Sequence, residues 1–174
     1  MTVPSDPVAV VGCGSSTLIG ELVDDGYTAI TAMDIAQSAL DQLRASLGDR
    51  AESVTMVRAD ARTVRLPRTV TLWHDRATFH FSTDDAGQQA YAATAARSVR
   101  PGGYLVMAEF ATSGPRSCSG LTVTRHSAAS LQSIFADGFD LIESFEQDHV
   151  TPSGAVQRFV HALMRRRDVR SVLE

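Results

Sequence analysis

The chain has no lysine and no asparagine, and all 16 of its basic residues are arginine. Coding bias toward GC-rich codons explains that before any function does. Against 20 acidic residues the formal net charge is −4, so an electrostatic nucleic-acid partner is not expected. Cysteine is scarce: Cys13 and Cys118 are the only two, and they stand far apart. A disulfide framework needs more cysteines and a zinc site needs a tighter cluster, so no metal is expected. No apolar run reaches membrane-spanning length, and the polar, proline-containing start of the chain, residues 1–7, does not have the form of a secretory leader. The expectation is a soluble protein of a reducing cytoplasm, without a membrane partner.

What is present suits one good-sized core. The 174 residues are 44% hydrophobic, which predicts a single domain over residues 1–174 with its core at 8–166 and a charged tail at 167–174. Short apolar runs alternate with helix-period segments. Val8–Val11 is a continuous apolar run, as in a strand buried on both faces. Leu18, Ile19, Leu22 and Val23 follow at helical spacing and Gly26 stops them. Strands are predicted at 28–33, 53–58 and from Thr69, with a helix of Ala36, Leu40, Leu43 and Leu47 after the second strand. Gln88–Val99 predicts a helix ended by Pro101-Gly102-Gly103, and Tyr104–Phe110 a fifth strand. A polar loop covers 112–124, Ser127 caps a last helix, and two strands at 139–146 and 155–164 flank the turn Thr151–Gly154. The pattern predicts an α/β, Rossmann-like three-layer αβα sandwich: a mostly parallel seven-stranded sheet closed by an antiparallel hairpin.

In such sheets ligands bind beyond the carboxyl ends of the strands. The first strand ends in Gly12-Cys13-Gly14, bare main chain. The second ends in Asp34 and the third in Asp60; the fourth runs into His74-Asp75-Arg76 and the fifth into Glu109. Gly14 and Asp34 are 20 residues apart, the separation of a nucleotide-binding turn from a ribose-binding acid. Glycines let a ligand lie against main chain, and a carboxylate accepts strongly from ribose hydroxyls. The competing reading is a plain βα turn with a helix-capping aspartate. A dinucleotide is disfavoured because Thr17 stands where the third glycine of that fingerprint belongs. A single adenosine across the first three strands fits better, with the Asp60 carboxylate accepting from the adenine amino group and the Ala61 N–H meeting a ring nitrogen.

With these residues in place, the chain resembles the class I, seven-stranded S-adenosylmethionine-dependent methyltransferases. The resemblance runs from Val8 to Arg166 and rests on VVGCGSS, TAMDIA, VRADA, the RPGGY turn and the closing hairpin. Three further segments, LWHDRATFHF (72–81), GPRSCSGLTVTRH (114–126) and HVTPSGAVQRF (149–159), are similar to a bacterial subgroup of largely unassigned members. Asp75–Phe79 is also similar to the Asp-Lys-Gly-Thr segment of certain eukaryotic protein-lysine methyltransferases. Val10 departs from the family's frequent acid two residues before the first glycine, and Ser16 replaces its third small position. Only seven residues precede the first strand, whereas family members carry N-terminal helices over the cofactor. That leaves an open pocket or one covered by a partner subunit, and a homodimer is expected from the uncovered pocket and sheet face.

The resemblance implies S-adenosylmethionine as cofactor, S-adenosylhomocysteine as product, and in-line methyl transfer to a small-molecule acceptor. Protein-lysine methylation and non-catalytic cofactor binding are the alternatives. Gly12, Cys13, Gly14, Ser15, Asp34, Ile35, Asp60, Ala61, Trp73 and His74 are the expected cofactor-binding residues, with the cofactor carboxylate at the N-terminus of the helix that follows. Asp75 is expected to organise the reaction centre, and His74, His80 and Glu109 are base candidates. Each has a plain structural counterpart: an Asp75–Arg76 ion pair, His80 facing away from Phe79 and Phe81 in a packed segment, Glu109 at a strand end. His126 is expected to serve its turn, His149 to border the pocket or brace the hairpin, and His161 to be structural.

Overall fold

The apolar run Val8–Val11 forms the inner strand β1, every residue of it buried. The computed structural model describes residues 2–14 and 16–168. Around β1 stand β2 (Ile30–Asp34), β3 (Val54–Arg58), β4 (Val70–Arg76) and β5 (Val99–Phe110), all parallel. β6 (Ser117–Cys118) and β7 (Leu121–Thr122) make a separate small hairpin, while β8 (Phe139–Val150) and β9 (Val156–Arg166) extend the main sheet antiparallel. Its strand order is β3-β2-β1-β4-β5-β9-β8. The order reverses between β1 and β4, and that crevice is where an open α/β sheet binds its ligand.

Helices cover the sheet unequally. α1 (Leu18–Asp24) and α2 (Gln37–Leu47) place Ile19, Leu40, Leu43 and Leu47 against Val8, Val10, Ile30 and Val54 on one face. α3 (Asp85–Ser98) and α4 (Ala128–Phe135) place Tyr91, Ala95, Leu131 and Phe135 against Val11, Trp73, Leu105, Met107 and Val160 on the other. Successive residues of a strand point to opposite faces. Val10 pairs with His74, and His74 with Val106. His74 and Arg76 therefore share the α1/α2 side, and Trp73 and Asp75 the α3/α4 side. Among the described residues no helix is long and apolar enough to cross a membrane.

Several boundaries differ from the sequence reading, and β8 runs on to Val150 and β9 to Arg166. α3 starts earlier, because the Asp84 side chain accepts from Gly87 N and caps it. Pro101-Gly102-Gly103 does not separate helix from strand; β5 already begins at Val99, and the glycines make a bulge with a register shift opposite Val70/Leu72. The polar loop at 112–124 contains the β6–β7 hairpin, closed by Ser119 and Gly120 at φ 50° and 80°. A two-residue turn with both φ positive matches the twist of its strands.

The bulge has no room for a side chain. A β-carbon on Gly103 would lie 2.8 Å from the Thr71 carbonyl oxygen and 2.8 Å from Val99 Cγ1. Gly103→Ala is expected to destabilise the fold by about 1–3 kcal/mol, the usual cost of overpacking. Urea titration of both proteins measures it, and an unchanged midpoint contradicts this account of the bulge.

Candidate active site

The turn after β1 uses its two glycines differently. Both have positive φ, 59° at Gly12 and 45° at Gly14. A β-carbon on Gly12 would sit 1.8 Å from Thr78 Oγ1, so Gly12 is bare to admit a side chain of the same protein. A β-carbon on Gly14 would meet nothing nearer than the Gly12 carbonyl oxygen at 3.8 Å, so Gly14 faces open space. Asp34 fastens the turn: its Oδ2 accepts from Gly14 N at 3.0 Å and its Oδ1 from Ala36 N at 2.9 Å. Each oxygen keeps lone pairs for a further donor. Cys13 is buried, and burial together with Asp34 pushes its thiol up to about 11. It stays a thiol and fills space. Ser15 lies outside the described residues.

Gly12, Gly14, Asp34, Ile35, Asp60 and Ala61 line one cavity of about 690 Å³, with Thr78, Phe81, Tyr91 and Leu121 across from them. Ile35 is 64% exposed there and Phe81 37%, an apolar surface with no cover of its own. Asp60 is already engaged. Its oxygens take Arg62 Nε at 3.0 Å each, Nη2 at 2.6 Å and the Arg62 backbone N at 2.8 Å. These bonds hold its carboxyl below the ordinary value. Before Asp60 can accept from an adenine amino group, the guanidinium of Arg62 has to move.

Beneath this cavity the ends of β4 and β5 bury a polar network. Asp75 Oδ1 accepts from Thr78 N at 3.0 Å, and Asp75 Oδ2 accepts from the Tyr91 hydroxyl. Tyr91 in turn accepts from Trp73 Nε1 at 3.0 Å. Glu109 Oε2 accepts from His80 N at 3.1 Å, and its carboxyl lies alongside that of Asp75. Asp75, Glu109 and His80 are fully buried. Burial, and then the Asp75 charge, hold Glu109 well above the ordinary carboxylate range, and burial raises Asp75 to about 6. Two carboxyls in contact in an apolar interior cannot both ionise cheaply. Burial also lowers His80 and His126 to about 4, so both imidazoles are neutral at neutral pH.

Residues 8–103, more than half of the chain, match the sequence profile of a family described as a methyltransferase domain. The chain belongs to this family. A stretch of 64 residues is 31% identical to the mouse (Mus musculus) eEF1A lysine and N-terminal methyltransferase, covering 37% of this chain and only 9% of that protein. The fold resembles a SAM-dependent methyltransferase of Methanosarcina mazei, with TM-score 0.80, 16% identity, and 95% and 94% of the two chains covered. It also resembles the 1,6-didemethyltoxoflavin-N1-methyltransferase of Burkholderia thailandensis, a structure with bound 1,6-didemethyltoxoflavin and S-adenosylhomocysteine. There the TM-score is 0.73 and the identity 18%, with 94% and 72% covered.

The methyltransferase domain distributes the expected residues over three places. Gly12, Gly14, Asp34, Ile35, Asp60 and Ala61 share the large cavity. Cys13 and His74 line a second cavity on the other side of the glycine turn. Trp73 lines neither; it is a core residue, since its place on β4 turns its indole toward α3. Asp75, His80 and Glu109 are buried and line neither cavity. His80 was expected to alternate with its neighbours, but Phe79–Phe81 is a 3-10 turn that rolls Phe79 and His80 inward and Phe81 outward. Arg76 is on the opposite face from Asp75, so no ion pair joins them. Thr78 and Tyr91 line the cavity without having been singled out. Thr78 lies inside the quoted Asp75–Phe79 segment, whereas Tyr91 looks like any core aromatic on a helix.

The buried acids make stability depend on pH with a definite sign. A raised carboxyl stabilises the fold below its unfolded value, 3.8 for Asp75 and 4.5 for Glu109, and loses that contribution as pH rises through its folded value. His80 and His126 act oppositely, adding stability as pH rises from about 4 to 6.5. Glu109→Gln cannot ionise, so its stability relative to the parent is expected to rise as pH climbs above 4.5, by up to about 1.4 kcal/mol per pH unit until the raised value of Glu109 is passed. Denaturation midpoints of both proteins across that range decide it; parallel curves count against a protonated Glu109.

Proposed function

We propose that the protein transfers a methyl group from S-adenosylmethionine to a small molecule. The observation that carries this reading is the meeting, at the β1/β4 crevice, of bare main chain at Gly14, unfilled lone pairs on Asp34 and uncovered apolar surface at Ile35. Those features suit the cofactor part by part. Asp34 accepts from ribose hydroxyls, Ile35 and Phe81 cover a flat base, and Gly14 lets the amino-acid portion pass close to the backbone. Asp60 joins them once Arg62 turns away. When bound, S-adenosylmethionine supplies an electrophilic methyl group on a sulfonium and leaves as a neutral thioether.

What the chain adds is alignment and a proton acceptor. Thr78 and Tyr91 hold the cavity wall, and the Asp75 carboxyl holds both of them. Among the four residues put forward for catalysis only His74 lines a cavity. Burial, and then Arg76, lower its basicity, and its Nδ1 has no hydrogen-bond partner among the described residues. That nitrogen is shut off from the cavity, so the proton of an acceptor that arrives protonated has to pass to the other ring nitrogen, Nε2.

The small-molecule reading is supported by modest cavity volumes and by the Burkholderia neighbour, whose bound partner is a small heterocycle. We also place the chain with the bacterial subgroup that its three segments at 72–81, 114–126 and 149–159 resemble. Protein-lysine methylation is the second reading, favoured by the local match to the mouse enzyme. Incubation with methyl-labelled cofactor and either a metabolite extract or lysate protein separates the two: label in the extract is expected, and label in protein alone overturns the small-molecule assignment.

The cofactor site has its own test. Asp34→Ala removes the acceptor for ribose and is expected to weaken S-adenosylhomocysteine binding by at least tenfold, the loss of one charge-assisted hydrogen bond or more. Isothermal titration of folded parent and variant measures this, and equal affinities refute the site.

A further inference from the structure

The second cavity, about 430 Å³, shares Val11, Gly12, Gly14 and Ala77 with the larger one, so the glycine turn is a wall of both. The three segments that resemble the bacterial subgroup meet in it. The first brings His74 and Arg76, the second Cys118, the third His149, Gln157 and Phe159. Nothing in the cofactor reading uses these side chains together.

Their chemistry is one-sided. Among the described residues the lining includes a guanidinium, two imidazoles and an amide, and no carboxylate. The Arg76 guanidinium lies over the Phe159 ring, 5.7 Å from its centroid. Among the described residues it forms no ion pair. The hairpin acids Glu146 and Asp148 pair across β9 with Val160 and Arg158, on the opposite face of the hairpin from Phe159, and both bind Arg158, at 3.1 and 3.2 Å. Asp75 is no counter-ion, since it points to the opposite face of the sheet. Phe159 is packed edge-on by Phe110 at 4.9 Å and by His149 at 6.1 Å. The cation is thus held on a fixed aromatic wall, in a concave site, with its donors unused, in a protein of net charge −4. Guanidinium donors in that condition match a carboxylate.

We propose that this cavity receives the carboxylate of a small acceptor, held by Arg76 with His149 and Gln157 beside it. The inference rests on the larger cavity being the cofactor site. Its place next to Gly12 and Gly14 sets such an acceptor on the other side of the turn from the adenosine. The carboxylate of the cofactor itself is the other source of the same chemistry, and the test separates the two.

The probes are benzoate, its uncharged isostere benzamide, S-adenosylhomocysteine, and 5′-methylthioadenosine, which lacks the amino-acid portion. Benzoate titrated into S-adenosylhomocysteine-saturated protein is expected to bind saturably and about tenfold more tightly than benzamide. Arg76→Gln is expected to remove that preference while S-adenosylhomocysteine binds as before. His149→Ala, on the hairpin, is expected to weaken benzoate severalfold and serves if the first variant does not fold. Equal affinity for benzoate and benzamide overturns the proposal, as does benzoate binding that neither substitution changes. A loss of S-adenosylhomocysteine affinity in Arg76→Gln with 5′-methylthioadenosine unaffected also overturns it, because the guanidinium then serves the cofactor. Failure of the parent to bind S-adenosylhomocysteine refutes the cofactor reading instead, and benzoate against benzamide on the ligand-free protein then decides the cavity.

Discussion

The carboxyl edge of the sheet depends on the side chain of Thr78 standing where a β-carbon on Gly12 would have to be. That contact fixes the end of β1 against the segment leaving β4. Thr78 Oγ1 bonds the Val11 carbonyl at 3.4 Å, and its backbone N–H is held by Asp75. Asp75 in turn anchors Tyr91, and Tyr91 anchors Trp73. A chain of contacts therefore runs from the glycine turn through the cavity wall into the core between the sheet and α3. Each member is buried or nearly so, which means a change at one is felt by the others.

Much of the architecture was legible in the sequence because it rests on periodicity. Val8–Val11, the Leu40/Leu43/Leu47 spacing and the Ser127 cap each specify one element with little help from elsewhere. The hairpin turn at Thr151–Gly154 is equally local. Pro101-Gly102-Gly103 misled because its composition is that of a stop, while its role is set by Thr71 across the strand pair. The β6–β7 hairpin was hidden for a related reason: two-residue strands carry no period.

The site divides the same way. Gly14, Asp34, Ile35, Asp60 and Ala61 could be placed together because parallel strands bring their carboxyl ends to one edge whatever the side-chain packing. The β4 residues could not be sorted from sequence alone. Four successive chemistry-bearing residues, Trp73 to Arg76, look like one cluster on paper. Trp73 and Asp75 are nevertheless separated from His74 and Arg76 by the full thickness of the sheet. The Arg62 fork on Asp60 is likewise invisible without coordinates, since nothing in the spacing of an acid and an arginine two residues later distinguishes an engaged carboxylate from an open one.

The alternation along β4 also explains how such different environments sit within one short strand. Trp73 and Asp75 turn toward α3, where the surroundings are apolar, so their polar atoms must be satisfied internally and the neighbouring Glu109 is held in its neutral form. His74 and Arg76 turn toward the side where α1 and α2 pack over β1, β2 and β3, and beyond them the sheet meets a cavity. There a full charge is tolerated because water reaches it, and it remains uncancelled because the hairpin acids Glu146 and Asp148 stand on the opposite face with Arg158. One face of the strand thus braces the cavity wall through buried hydrogen bonds, and the other presents charge to whatever enters. A two-residue period is sufficient to keep these tasks apart, since moving either pair by one position would bury the guanidinium and expose the acid.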